Sequence, residues 1–213
     1  MQKIVVELMN PHWNLVICTA ALSLLAGCDN PLDANKKNFQ KVLQNYNDAH
    51  PVCASISFKL PIDLRSDSDA GRKQQLEPLV RAGLISVETI QKNDSAAPGQ
   101  ARAADYLRYA PTSEGKEVIR RGANSFLGGT DICFAHRKVV NVESFTEPVE
   151  VMGMTVSRVT YNYDLKGLGQ WVKAPEIAAA FPQIETMLAK SDHQATDVLV
   201  QTKRGWKHER DVH

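Results

Sequence analysis

The feature that most constrains this chain lies near its start. Residues 15–26 read LVICTAALSLLA, apolar or small throughout and free of charge. A permanent membrane helix needs about 20 consecutive apolar residues, so this run is too short to span. It suits the core of a signal peptide, which is removed on export and takes no part in the mature fold. The competing reading is a buried core helix that happens to end in Gly27-Cys28; position, length and small residues all favour the signal peptide. The leading segment departs from the usual export pattern, because Lys3 is offset by Glu7. A start at Met9 leaves only His12 ahead of the core and does not restore a basic lead.

The run ends in Leu25-Ala26-Gly27-Cys28. This tetrapeptide resembles the lipobox of bacterial lipoprotein precursors. The resemblance implies a diacylglyceryl group on the Cys28 thiol, cleavage before Cys28 and acylation of the new amine. It places the mature protein on the cell membrane, held by its N-terminal acyl chains and facing the periplasm. Two acyl chains suffice for stable anchoring, each buried CH₂ contributing about 0.8 kcal/mol. Asp29 resembles the residue that retains enterobacterial lipoproteins in the inner membrane, so the inner membrane is the expected location. The chain then divides into a signal peptide (1–27), a lipidated tether (28–37), a mixed half (38–122) and a strand-rich half (123–213). The boundary between the halves falls near residues 122–129, and one continuous domain is the alternative.

Cysteine arithmetic follows from that division. Of four cysteines, Cys18 leaves with the signal peptide and Cys28 is lipidated. Cys53 and Cys133 remain, and an even remainder in an oxidising compartment reads as a disulfide. The alternatives are two separate buried thiols or a metal pair. Neither cysteine has the C-x-x-C spacing of a metal site.

Periodicity outlines an α+β fold, antiparallel strands with helices packed on one face. In 36–49, Phe39, Val42, Leu43 and Tyr46 repeat at helical spacing, and His50-Pro51 ends the helix. Residues 52–60 alternate as a half-buried strand, and 63–71 look like loop. A helix is expected over 72–82 with Leu76, Leu79 and Val80 inward and Gly83 as its cap. A strand over 84–90, a loop over 91–103, a returning strand over 105–110 and a short helix over 113–121 follow. Residues 131–145 read as two strands around a turn at Ala135-His136-Arg137-Lys138. A strand over 155–165, short helices over 175–180 and 183–190, and a closing hairpin over 198–209 complete the pattern.

Within the first half, Leu79-Val80-Arg81-Ala82-Gly83-Leu84-Ile85 and Tyr109-Ala110-Pro111-Thr112-Ser113-Glu114-Gly115-Lys116 carry a second resemblance. Residues 79–121 resemble part of a winged-helix domain of bacterial transcription regulators. That resemblance implies a helix ending in a glycine corner, a wing hairpin and a Thr-x-x-Gly turn into the next helix. No clear recognition helix precedes it.

Catalytic signatures are missing: there is no H-E-x-x-H, C-x-x-C, G-x-S-x-G or P-loop. Gly167-x-Gly169 lacks a third glycine and reads as a turn. His136 with Asp131 is weighed as a ligand or metal site against a solvent-exposed turn histidine, and the latter is preferred. His208-Glu209 with His213 reads as a polar strand end. Glu143, Glu147 and Glu150 are considered as acid–base carboxylates and assigned to a polar face. Trp171, Phe181 and Trp206 are considered as a binding patch and assigned to the core. Lys203, Arg204, Lys207 and Arg210 form a basic cluster, read as a solvated surface, with anionic headgroups as the alternative contact. No catalytic residue, cofactor or metal ligand is assigned.

Charge narrows the function. The chain holds 25 basic and 24 acidic residues, net +1, and removal of Lys3 and Glu7 leaves that balance unchanged. A near-neutral chain has no electrostatic case for nucleic acid. The expectation is a membrane-anchored envelope lipoprotein with a non-enzymatic binding or assembly role and an envelope protein as partner. The alternatives are a periplasmic hydrolase with a site built from scattered residues and a cytoplasmic winged-helix regulator of DNA.

Overall fold

The computed structural model describes residues 30–95, 101–122 and 129–212. The lipobox, Asp29, His213 and most of the expected boundary at 122–129 lie outside the described residues. In chain order the elements are α1 (Lys36–Ala49), β1 (Val52–Ile56), β2 (Ile62–Arg65), α2 (Ala70–Arg81), β3 (Ile85–Ser95), β4 (Ala101–Pro111), α3 (Gly115–Val118) and β5 (Ile119–Arg121). Then come β6 (Thr130–Phe145), β7 (Val149–Val151), β8 (Met154–Lys166), α4 (Pro175–Ala180), α5 (Pro182–Leu188), β9 (Gln194–Thr202) and β10 (Gly205–His208). Residues 31–213 form one unit. Its architecture is α+β, with every strand pair among the described residues antiparallel.

Helix α1 starts where Asn35 turns its side chain back, Oδ1 accepting from the Asn38 N–H at 2.9 Å. Such a cap satisfies one of the donors a helix start leaves free. The expected apolar face buries Phe39, Leu43 and Tyr46. It lies on the large sheet, ordered β1-β6-β8-β9-β10 with β5 on β6 and β7 on β8. Phe39 meets Phe145 and Trp206 edge-on at 5.0 and 4.9 Å between ring centres. Val139, Val142, Val159, Tyr161 and Leu199 complete this core. The opposite face of the same strands is polar: Asn162 donates to Asn141, Gln194 to Glu143, and Thr160 pairs with Thr196. One wet and one packed face is the usual economy of an antiparallel sheet.

A second core joins the small sheet, ordered β2-β4-β3, to α2, α4, α5 and the first part of β6. Leu64, Leu76, Leu79, Leu84, Phe134, Ile177 and Ile184 are buried there. The Gly83 corner follows from backbone chemistry. Gly83 adopts φ +75°, a left-handed conformation that glycine takes without a Cβ penalty. The chain then enters β3, and the Thr112 hydroxyl donates to the Gly83 carbonyl at 2.7 Å while accepting from the Gly115 N–H at 3.0 Å. A Cβ at Gly115 would stand 1.9 Å from the Leu84 carbonyl oxygen, so only glycine lets α3 pack this closely.

The disulfide is present. Cys53 and Cys133 sit directly opposite each other in the β1–β6 pair and are bonded across 80 residues of chain.

Several expectations are corrected. Residues 131–145 are not a hairpin: β6 is a single 16-residue strand. It pairs with β1 up to Ala135 and with β8 from His136 onward. The change of partner, rather than a turn, falls at Ala135–Lys138. The expected loop over 63–71 contains strand β2, and the expected loop over 91–103 is mostly strand, with only 96–100 outside the described residues. Of the side chains described there, Gln91, Asn93 and Ala103 are exposed and Lys92 is half-buried, so no apolar alternation marks this stretch. The expected helix over 113–121 is a single turn followed by β5.

Candidate functional site

An open groove of about 840 Å³ lies between α2, α4 and the outer end of β1. Helix α2 forms one wall because Leu76 and Leu79 bury their side chains on the core and leave Gln74, Gln75, Glu77 and Arg81 along the opening. Glu176, Ala180 and Gln183 supply the other wall, and Ser55 and Ser57 close the end. Ile56, Pro78 and Phe181 give it an apolar floor. Pro78 has no N–H to offer the Gln74 carbonyl one turn back. Arg81 and Glu77 neutralise each other across 3.2 Å. The lining holds amides, hydroxyls and opposed charges, and neither histidine nor cysteine. Such a surface can hold a neutral or zwitterionic hydrogen-bonding chain.

The densest polar cluster lies beneath α1. Tyr161 donates to Asp197 Oδ2 at 2.8 Å, and Asn47 reaches the same phenol at 3.4 Å. Burial pushes the Tyr161 phenol up to about 12, so it remains a donor at neutral pH. His208 is 1% exposed and stacks on Tyr46 with 3.5 Å between ring centres. Its Nδ1 accepts from the Arg210 N–H at 3.2 Å, which leaves the proton on Nε2. That nitrogen faces Asp197 Oδ2 at 3.7 Å, an electrostatic contact rather than a hydrogen bond. Burial pushes the imidazole below its ordinary value, with Asp197 opposing the shift. Tyr161 and His208 are both sealed from solvent. The cluster therefore ties α1 and the C-terminal turn to the sheet rather than meeting a substrate.

A third cluster braces the small sheet. Arg108 grips Asp63 with two bonds of 2.8 and 3.0 Å, and Lys92 closes on the same carboxylate. These donors hold the Asp63 carboxyl well below the usual carboxylate range.

The residues singled out in the sequence are not brought together. Asp131 accepts from Ser55 at 2.5 Å near the start of β6. His136, five residues on, has its Nδ1 at 3.5 Å from the Asn47 carbonyl under α1; it is a half-buried strand residue and not a turn residue. Glu143 accepts from Gln194, while Glu147 and Glu150 are exposed. Trp171 and Phe181 belong to one core and Trp206 to the other, so these three do not form one aromatic patch. Of the basic cluster, Lys203 and Arg204 occupy the β9–β10 turn, whereas Arg210 reaches back to the Tyr46 hydroxyl at 3.5 Å. Gly167, at φ +71°, ends β8 as a turn. Among the described residues no three His, Cys, Asp or Glu side chains gather as a metal ion would need.

Sequence reasoning missed the groove, because its lining comes from β1, α2, α4 and α5, which no local pattern joins. It also missed the β7–β8 hairpin, although Val149, Val151, Met154 and Val156 alternate around Met152-Gly153. Comparison with protein families, with curated proteins and with solved structures finds no match to this chain.

Proposed function

We propose that the protein is a bacterial envelope lipoprotein, anchored through acyl chains on Cys28, whose folded unit binds a partner without covalent chemistry. The α2–α4 groove is its binding face. The observation that carries this reading is the grip on the tether. The Leu32 carbonyl accepts from Trp206 Nε1 at 3.0 Å and from Gln201 Nε2 at 2.9 Å. The fold thus takes hold of the chain four residues after Cys28, as a lipoprotein domain seated close to its membrane requires. The Cys53–Cys133 bridge fits an oxidising compartment. The dispersal of His136, Asp131 and the glutamates favours binding over hydrolysis. On this reading the protein faces the periplasm, and the resemblance of Asp29 to an inner-membrane retention residue favours the inner membrane.

Intact-mass spectrometry of the chain from its native membrane fraction tests the reading. The expected species begins at Cys28, carries acyl mass and gains two hydrogens on reduction. An unprocessed, unacylated chain in the soluble fraction would overturn it.

A further inference from the structure

The end of the large sheet that receives the tether is also its most apolar end, and it carries a basic turn. We propose that this end rests on the bilayer, with the β7–β8 hairpin entering the lipid interface and the Lys203-Arg204 turn meeting anionic headgroups. The proposal rests on the anchor at Cys28 read above.

Register places the parts together. Val149 pairs with Val156, and Val151 with Met154, so all four side chains share one face of the hairpin. On its other side β8 pairs with β9, Val156 opposite Val200. Carrying that register two residues on sets Met154 level with Thr202, beside the Lys203-Arg204 turn. The tether arrives at the same place: a Cβ on Gly205 would lie 3.0 Å from the Pro31 carbonyl oxygen. Cys28 stands three residues before Pro31, a reach of about 10 Å at full extension. That reach allows acyl chains on Cys28, the apolar hairpin and the two cations to meet the same plane.

Exposure says what that plane is made of. Val149, Val151 and Met154 are 52%, 47% and 44% exposed, and Met152 is 96% exposed. Apolar side chains clustered in this way, unlike singly scattered ones, mark an interaction surface. Met152 is the sharpest case. It adopts φ +52°, followed by Gly153 at +76°, the conformation of a tight hairpin turn for which Asn-Gly is the favoured pair. The backbone thus disfavours a long apolar side chain at the very tip, where that side chain touches water. Inserted in an acyl interface, the same side chain is stabilised. Lys203 and Arg204 are exposed beside it, and cations near an anionic leaflet are attracted within a Debye length.

The test is flotation of the chain from residue 28 with Cys28→Ser, so that no acyl chain contributes. Residues 31–213 form their own unit with both cores closed, so this chain retains the fold. We expect it to float with vesicles containing phosphatidylglycerol and much less with pure phosphatidylcholine. Lys203→Glu with Arg204→Glu is expected to lower partitioning by about tenfold or more, and high salt to remove the headgroup dependence. Met152→Asn is expected to lower partitioning while keeping or improving the turn, so its loss of binding is not an unfolding effect. In the acylated protein, Met152→Trp is expected to blue-shift in emission and to be quenched by brominated lipid. A solvated, unquenched tryptophan in acylated protein bound to vesicles overturns the proposal while leaving the anchor intact. So does concentration-dependent dimerisation in the absence of lipid that Met152→Asn abolishes, which would assign the hairpin to a second copy of the chain. Anchoring itself is decided separately by the intact mass.

Discussion

His208 shows how a single buried side chain makes the fold sensitive to pH. Its ring is stacked on Tyr46 and its Nδ1 accepts a backbone N–H, an arrangement that suits only the neutral imidazole. Burial lowers its proton affinity below the ordinary value of 6.5. The unfolded chain then binds the proton more tightly than the folded one, so stability rises with pH between the two values. The contribution is complete above about pH 6.5 and is lost as the pH falls through the lower, folded value. Denaturant midpoints measured from pH 7.5 down to 5 are expected to fall, and His208→Gln is expected to flatten that decline. An NMR titration placing the His208 ring at or above 6.5 would refute the argument. Asp197 limits the size of the effect, since its carboxylate at 3.7 Å pulls the imidazole back toward protonation most strongly, with Asp211 and Glu209 adding to that pull.

Strand β6 is the element on which the molecule turns. Its first residues pair with β1 and β5, its later ones with β8, so it carries both cores. The Cys53–Cys133 bridge fixes its first part to β1 at directly opposed residues. Closing a loop of 80 residues restrains the unfolded chain and contributes about 4 kcal/mol in the chain-entropy account. Cys53→Ser with Cys133→Ser is expected to lower the unfolding free energy by about that amount, read from denaturant melts. An unchanged midpoint would show that the bridge adds nothing to β1–β6 pairing. Helix α1, by contrast, was legible in sequence: Phe39, Leu43 and Tyr46 repeat at helical spacing, and the helix buries those residues. The disulfide was legible from cysteine parity and compartment. The continuity of β6 was not, because Ala135-His136-Arg137-Lys138 has the composition of a turn, and a strand changing partners leaves no local mark. Residues 91–103 read as loop because 91–93 and 103, exposed or half-buried and without large apolar side chains, lack the alternation that betrays a half-buried strand. The groove and the hairpin tip are products of register and tertiary packing, which the sequence holds only through contacts between distant residues.

At the scale of the whole molecule, the question is whether two cores mean two folding units. Composition placed a boundary near residues 122–129, yet Ile119, just before it, lies opposite Ile132, just after it. β1 joins the same strand from further upstream, and Leu165 on β8 packs against both cores. Separate melting of the halves would therefore require β6 to lose one set of partners while keeping the other. That leaves the backbone groups of residues 130–135 unpaired beside an intact sheet, at the cost attached to each unsatisfied buried polar group. The favourable alternative is a single transition. Leu43, in the α1 core, and Leu79, in the α2 core, are both fully buried, and truncation of such a leucine costs about 2–5 kcal/mol through lost transfer energy and the cavity left behind. Leu43→Ala and Leu79→Ala are each expected to shift the same cooperative unfolding curve, whether followed by tryptophan emission or by far-ultraviolet circular dichroism. Trp206 sits in the first core and Trp171 in the second, so emission from chains retaining only one of these two tryptophans reports each core by itself. If Leu43→Ala moves the Trp206 transition and leaves that of Trp171 in place, β6 does not couple the cores, and the two halves unfold as separate bodies.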